Sequence, residues 1–246
     1  MHRILQLAAV LLFTASTVHV QFHLPGSKER DRPAKVRKGD LEWLWQYGPS
    51  DKDKEGREND LVQDPRFRPM LAQYLTTPQT FWGSAVNGRY RPLADTALDF
   101  LSVPDKVLAD DNRYLSISGC VFHFCPSRGL LWVDLNGPGR GPESLLVFAG
   151  IDWIRDSRTT TQPNAEYTLW IFPNQLLSTE STASNRIPPA LIRSIARWSA
   201  EPMSGNGIVQ NISHAILVDP DGSPHELPPA TIGVPPYKPA EKKDQP

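Results

Sequence analysis

The sequence predicts an α+β domain, a mainly antiparallel sheet with helices packed on it. Two observations predict it. Strand-like runs follow one another through close turns between residues 113 and 172, and stretches of helical period lie on either side, at 60–75 and 188–199. A third, the placement of most of the 24 prolines outside the strand-like runs, agrees with both. The chain of 246 residues suits one large domain or two small ones, and a hydrophobic fraction of 39% with seven tryptophans is enough for a real core. A single domain over 41–231 is the simplest account. The net charge of −1 provides no broad field for nucleic acid or an anionic membrane.

In chain order, Arg3 precedes an apolar run from Ile4 to Phe13, followed by Thr14-Ala15-Ser16-Thr17. A short positive region, an apolar core and small residues describe a secretory signal over 1–17, cut near Ser16 or Thr17. The run is shorter than the roughly 20 residues that span a bilayer comfortably, an uncleaved anchor being the other reading. Cleavage would leave a periplasmic or secreted protein with no membrane attachment. Residues 18–40 carry Lys28, Arg30, Arg32, Lys35, Arg37 and Lys38 without apolar periodicity, which reads as a basic flexible linker or, alternatively, a polyanion grip. Leu41 to Tyr47 is dense in aromatics and is expected to be the first ordered segment. Asp60 is placed to cap a helix over 60–75, with Pro65 marking an alternative first turn. Asn87-Gly88 signals a turn, and 92–111 reads as irregular apart from one short strand around 106–108.

Residues 113–119 and 129–135 read as strands, the first from alternation and the second from its large apolar and β-branched content. Residues 137–142 form a Gly/Pro loop, and 144–149, extended by 151–154, and 167–172 are further strands. Ile187-Pro188-Pro189 opens an amphipathic helix with Leu191, Ile192, Ile195, Ala196 and Trp198 on one side. A strand at 215–218 turns at Asp219-Pro220-Asp221-Gly222. Residues 232–246, rich in proline and lysine, are expected to form a disordered tail.

Catalytic signatures are scarce: the chain has no Gly-rich phosphate loop, no Gly-x-Ser-x-Gly elbow and no His-Glu-x-x-His helix. Neither a cofactor nor a metal is expected. His214 and His225 read as surface or hydrogen-bonded side chains rather than ligands. The strongest signal is Cys120-Val121-Phe122-His123-Phe124-Cys125, which holds the only two cysteines with a histidine between them. Outside the cytosol a nearby cysteine pair is expected to be oxidised. So short a ring is worth only about 2 kcal/mol in the chain-entropy model. Its larger effect is to fix the direction of Phe122, His123 and Phe124, because rigid projecting residues bind with less loss of entropy. Redox, metal, purely structural and recognition roles all remain open. A redox pair is more often spaced Cys-x-x-Cys at a helix N-terminus, and a metal site needs further ligands that are not evident.

This loop resembles that of the periplasmic inhibitor of vertebrate lysozyme family, known as Ivy, in its Cys-x-x-His-x-Cys pattern between two strands. Tyr114 to Cys120 and Cys125 to Val133 follow the family's order. Phe67 to Leu75, Thr77 to Trp82 and Tyr167 to Trp170 resemble it more loosely. The resemblance implies an Ivy-like three-layer sandwich and a non-enzymatic inhibitor. It also implies that Cys120 and Cys125 hold the loop while His123 enters the cleft of a peptidoglycan hydrolase and contacts its catalytic carboxylates. The target would be lysozyme, another muramidase or a lytic transglycosylase. The family's loop is polar around its histidine, whereas Val121, Phe122 and Phe124 are apolar here. That difference suits another target, another docking mode or a homodimer, and the rival reading is a secreted binding or structural protein with an unrelated partner. Under the inhibitor reading His123 projects from the tip. Under the scaffold reading it is buried, with its neighbours pulled down onto the sheet.

Overall fold

The computed structural model describes residues 41–48, 57–135, 144–154, 165–180, 186–203 and 207–236. The stretches expected to be a signal, a basic linker and a Gly/Pro loop, the charged stretch 49–56 and the end of the expected tail lie outside them. The sheet has seven strands in sequential order: β1 (Val103–Asp110), β2 (Tyr114–Val121), β3 (Phe124–Asp134), β4 (Leu146–Trp153), β5 (Glu166–Pro173), β6 (Asn211–Val218) and β7 (Pro224–Leu227). Every pairing is antiparallel except β5 with β6, which run parallel because the chain crosses over through a helix between them. The α+β expectation and the β2–β3 hairpin at its centre are borne out.

Alternation along the central strands sends apolar residues to both faces, so helices cover both. On one face, α1 (Arg57–Gln63), α2 (Phe67–Tyr74), α3 (Leu93–Phe100) and a 3₁₀ turn (Glu42–Tyr47) pack Phe67, Leu71 and Phe100 against Ile117, Leu131 and Phe148. On the other, α4 (Pro189–Ser199) packs Leu191, Ile195 and Trp198 against Leu130, Trp132 and Leu169. The helix expected over 188–199 and the burial of Phe67, Leu71, Leu191, Ile195 and Trp198 are as anticipated.

Three expectations need correction, and one short strand was not anticipated. The helix expected over 60–75 is two helices, α1 and α2, broken at Asp64-Pro65-Arg66. Proline has no N–H to continue α1, and the Asp64 carboxylate accepts from the Arg66 N–H at 2.8 Å, starting the next turn instead. The stretch 92–111 is not irregular. Leu93, Ala97 and Phe100 are one buried helical stripe behind Pro92, and β1 pairs with β2 from Tyr114 to Cys120, well beyond the short strand expected at 106–108. β7 follows the 219–222 turn as a short edge strand. Ordered chain also continues past Thr231: Ile232 and Val234 are buried against α4's layer, so a tail can begin only beyond them.

One packing detail positions everything that follows. Gly119, Gly129 and Gly150 pair side by side across β2, β3 and β4. A methyl at Gly129 would lie 2.8 Å from Phe100 Cβ and 2.9 Å from the Phe100 carbonyl oxygen, and one at Gly119 would lie 2.9 Å from the Val103 carbonyl. The row is a notch that admits the C-terminal end of α3 down to the sheet backbone.

Candidate functional site: the disulfide-closed hairpin tip

The six-residue loop expected from the cysteine spacing is mostly strand. Val121 pairs with Phe124, which leaves Phe122 and His123 alone as the turn. Both are exposed, Phe122 by 63%. His123 has φ +61°, in the left-handed region that histidine visits more readily than most non-glycine residues. The two rings lie against each other, with centroids 3.8 Å apart. Phe124, which the sequence groups with the tip, is instead half-buried, its ring 6.4 Å from Trp153. Val121 packs against the helical face carrying α1 to α3.

Cys120 and Cys125 are joined directly behind the turn, with Cα atoms 4.8 Å apart, inside the roughly 4.4–6.8 Å range of disulfides. Both thiols are thereby used, so a thiolate metal site at this loop does not arise. Among the described residues no three His, Cys, Asp or Glu side chains gather where a metal ion could be held. The bond joins two strands, Cys120 on β2 and Cys125 on β3, rather than a loop and a helix N-terminus.

The tip overhangs its neighbours. β1 pairs no further than Cys120 and β4 no further than Arg128, so the hairpin beyond them has no flanking ladder. Two side chains that sequence reasoning missed hold it in place of one. On one flank, Ser102, just past α3, accepts the Phe122 N–H at 2.8 Å, and its hydroxyl faces the carbonyls of Asp99 and Cys120 at 2.7 and 3.3 Å. On the other flank, Gln210 donates from Nε2 to the Pro126 carbonyl at 2.7 Å and accepts from Arg128 Nε at 2.7 Å. Arg128 Nη1 in turn donates to the Glu201 carbonyl at 3.1 Å, and its guanidinium lies 5.5 Å over the Trp198 ring. Arg128 is only 7% exposed, and Nη2 has no hydrogen-bond partner among the described residues. Burial pulls its pKa down to about 10 against the attraction of Glu201 and Asp105, so it keeps its charge at neutral pH.

Arg128 did leave a trace in the sequence. It shares its side of β3 with Leu130 and Trp132, an alternation that points a charge inward. Ser102 and Gln210 left none, because their partners are distant along the chain. His214 and His225 lie on β6 and β7, bonded to Glu226 at 2.9 Å and Asp219 at 2.7 Å, and take no part in the tip. Among the described residues no helix is long and apolar enough to cross a membrane.

Compared with protein-family models, with curated proteins and with solved structures, the chain finds no match. What fold and site together define is an α+β protein, helices on both faces of its sheet, presenting a disulfide-closed two-residue turn.

Proposed function

We propose that this protein is an exported, non-enzymatic inhibitor of a peptidoglycan hydrolase, of the Ivy type in fold and in mode of action, and that the hairpin tip is its inhibitory element. The observation that carries the reading is the tip itself: an exposed Phe122-His123 turn, closed by a disulfide and held on both flanks, standing clear of the neighbouring strands. Such a tip enters a cleft with little ordering left to do, which is what an inhibitor competing with substrate requires. The order of residues from Tyr114 to Val133, similar to that of the family, points the same way. A retaining glycosidase keeps its two carboxyl groups roughly 5–5.5 Å apart. A protonated imidazole donates from both ring nitrogens and spans such a gap with charge-assisted bonds that exclude the sugar.

The test is a panel of immobilised hydrolases, comprising an animal lysozyme, a bacterial muramidase and a lytic transglycosylase, probed for capture and for loss of wall-clearing activity. His123→Ala is expected to lower the melting temperature by only a few degrees, because an exposed turn residue makes few core contacts and the cost is confined to alanine's poorer fit to the left-handed backbone. It is expected to weaken inhibition of the cognate enzyme by about 1–3 kcal/mol. An inhibitory parent whose His123→Ala variant inhibits equally well would end the reading. The rival, a secreted protein with an unrelated partner, draws on the exposure of Phe122, an apolar ring the family's polar tip does not have.

A further inference from the structure

Resting on that reading, we infer that the target cleft carries an apolar slot beside its carboxylates, and that Phe122 fills this slot as the main anchor while His123 addresses the acids. Three of the large hydrophobic residues exposed among the described ones belong to this end of the sheet: Phe122 at 63%, Val103 at 37% and Val209 at 39%. Val103 pairs with Cys120, and Val209 adjoins Gln210, which holds the Pro126 carbonyl. The apolar surface of the tip itself is therefore the Phe122 ring, with an exposed valine on a neighbouring segment to either side.

The backbone that carries the Phe122 ring is fixed where it leaves the ring exposed. Its own N–H is held by Ser102, the disulfide closes the strands behind it, and His123 packs on it from the next position. An aromatic ring kept exposed by that much fixed structure is a binding anchor, since truncating such rings dominates the energetics of interfaces. A two-residue turn is convex, so only a concave surface covers both rings. Lys106, on the strand beside it, is bonded to Glu201 at 2.9 Å, and the chain's net charge of −1 supplies no broad field to select a strongly acidic or basic partner. Recognition then falls to shape and apolar contact at Phe122, with His123 adding the charged hydrogen bonds. An aromatic or aliphatic wall next to the catalytic acids meets both demands.

The experiment measures inhibition and affinity on the hydrolase panel for the parent, Phe122→Ala, Phe122→Leu and His123→Ala, with circular dichroism and melting temperature as folding controls and the oligomeric state of each measured in solution. The expected result is a loss of about 30-fold or more in affinity for Phe122→Ala, in the range of interface anchors. Phe122→Leu, which still fills an apolar slot, should retain most of the affinity. The parent and all variants should fold, and none should self-associate through Phe122. A parent that inhibits, with Phe122→Ala within threefold of it, overturns the slot and leaves the inhibitor reading standing. Inhibition that Phe122→Leu loses as fully as Phe122→Ala also overturns it, since the ring would then be read for more than its apolar bulk. A parent that self-associates through Phe122, or inhibits nothing on the panel, overturns both.

Discussion

Gln210→Ala isolates what holds the tip, because it removes two bonds in one buried place and leaves the turn sequence untouched. Gln210 is 4% exposed, and both its bonds are 2.7 Å long, one from the Arg128 guanidinium and one to the Pro126 carbonyl. Loss of a hydrogen bond to a charged group costs about 1.5–3 kcal/mol, and of a neutral one about 0.5–1.5. The Pro126 carbonyl lies in a half-exposed segment where water can replace the amide, so its share sits at the low end of that range. Arg128, with Nη2 already without a partner, has no such recourse. The expected total is about 2–4 kcal/mol, which for a protein of this size lowers the melting temperature by roughly 4–16 °C. Locally, the amides of residues 121–125 should exchange roughly 30–700-fold faster, since each 1.4 kcal/mol is a factor of ten. Urea denaturation and hydrogen exchange by mass spectrometry read the two effects separately. A variant within 0.5 kcal/mol of the parent (roughly the spread of neutral surface changes) with unchanged exchange at the tip would refute the claim that this pair seats the hairpin.

Replacing Cys120 and Cys125 together by serine should lower stability by only about 2 kcal/mol, the value for so short a ring, while weakening hydrolase binding through loss of preorganisation; denaturation and calorimetric titration measure the two. Asp64, held at a pKa of about 2 by its bond to Arg66 and that from Tyr47 against the opposing effect of burial, is below the ordinary carboxylate value of 3.8. Its contribution is therefore complete above about pH 4 and is lost as pH falls towards 2, and melting curves across that window should be flatter for Asp64→Asn. Gly129→Ala drives a methyl to 2.8 Å from Phe100 Cβ and is expected to cost about 1–3 kcal/mol or more, with faster exchange at the Phe122 amide as α3 lifts and takes Ser102 with it.

What was legible in the sequence was whatever depends on local pattern. Alternation marked β2 and the apolar run marked β3. The stripe of Leu191, Ile195 and Trp198 marked α4, and two lone cysteines a few residues apart marked the tip. The helix over 93–100 was hidden by its brevity and by the polar Asp95, Thr96 and Asp99 within it, although Leu93, Ala97 and Phe100 keep helical spacing. Only the middle of β1, around 106–108, was legible, because an edge strand buries little and its Asp105-Lys106 pair breaks the apolar pattern. At the site, sequence spacing gave the closing pair but not the size of the turn. Whether Val121 and Phe124 pair or splay is decided by a register shift after Cys120, where three residues of β3 oppose none on β2. Ser102 and Gln210 act across 20 and 84 residues of chain, and no local pattern encodes such partners.

The glycine notch has a consequence for how freely the tip can be rewritten. Ser102 reaches the hairpin because the end of α3 rests on strand backbone, and what it grips there is again backbone, the Phe122 amide and the Cys120 carbonyl. Gln210 likewise grips a carbonyl, that of Pro126. Neither hold reads the side chains of Phe122 or His123. The seat and the two residues it displays are therefore separable modules: new pairs can be grafted at 122 and 123 so long as the second suits the left-handed backbone there, while a single methyl at Gly129, on the far side of the disulfide from the tip, would tilt every one of them.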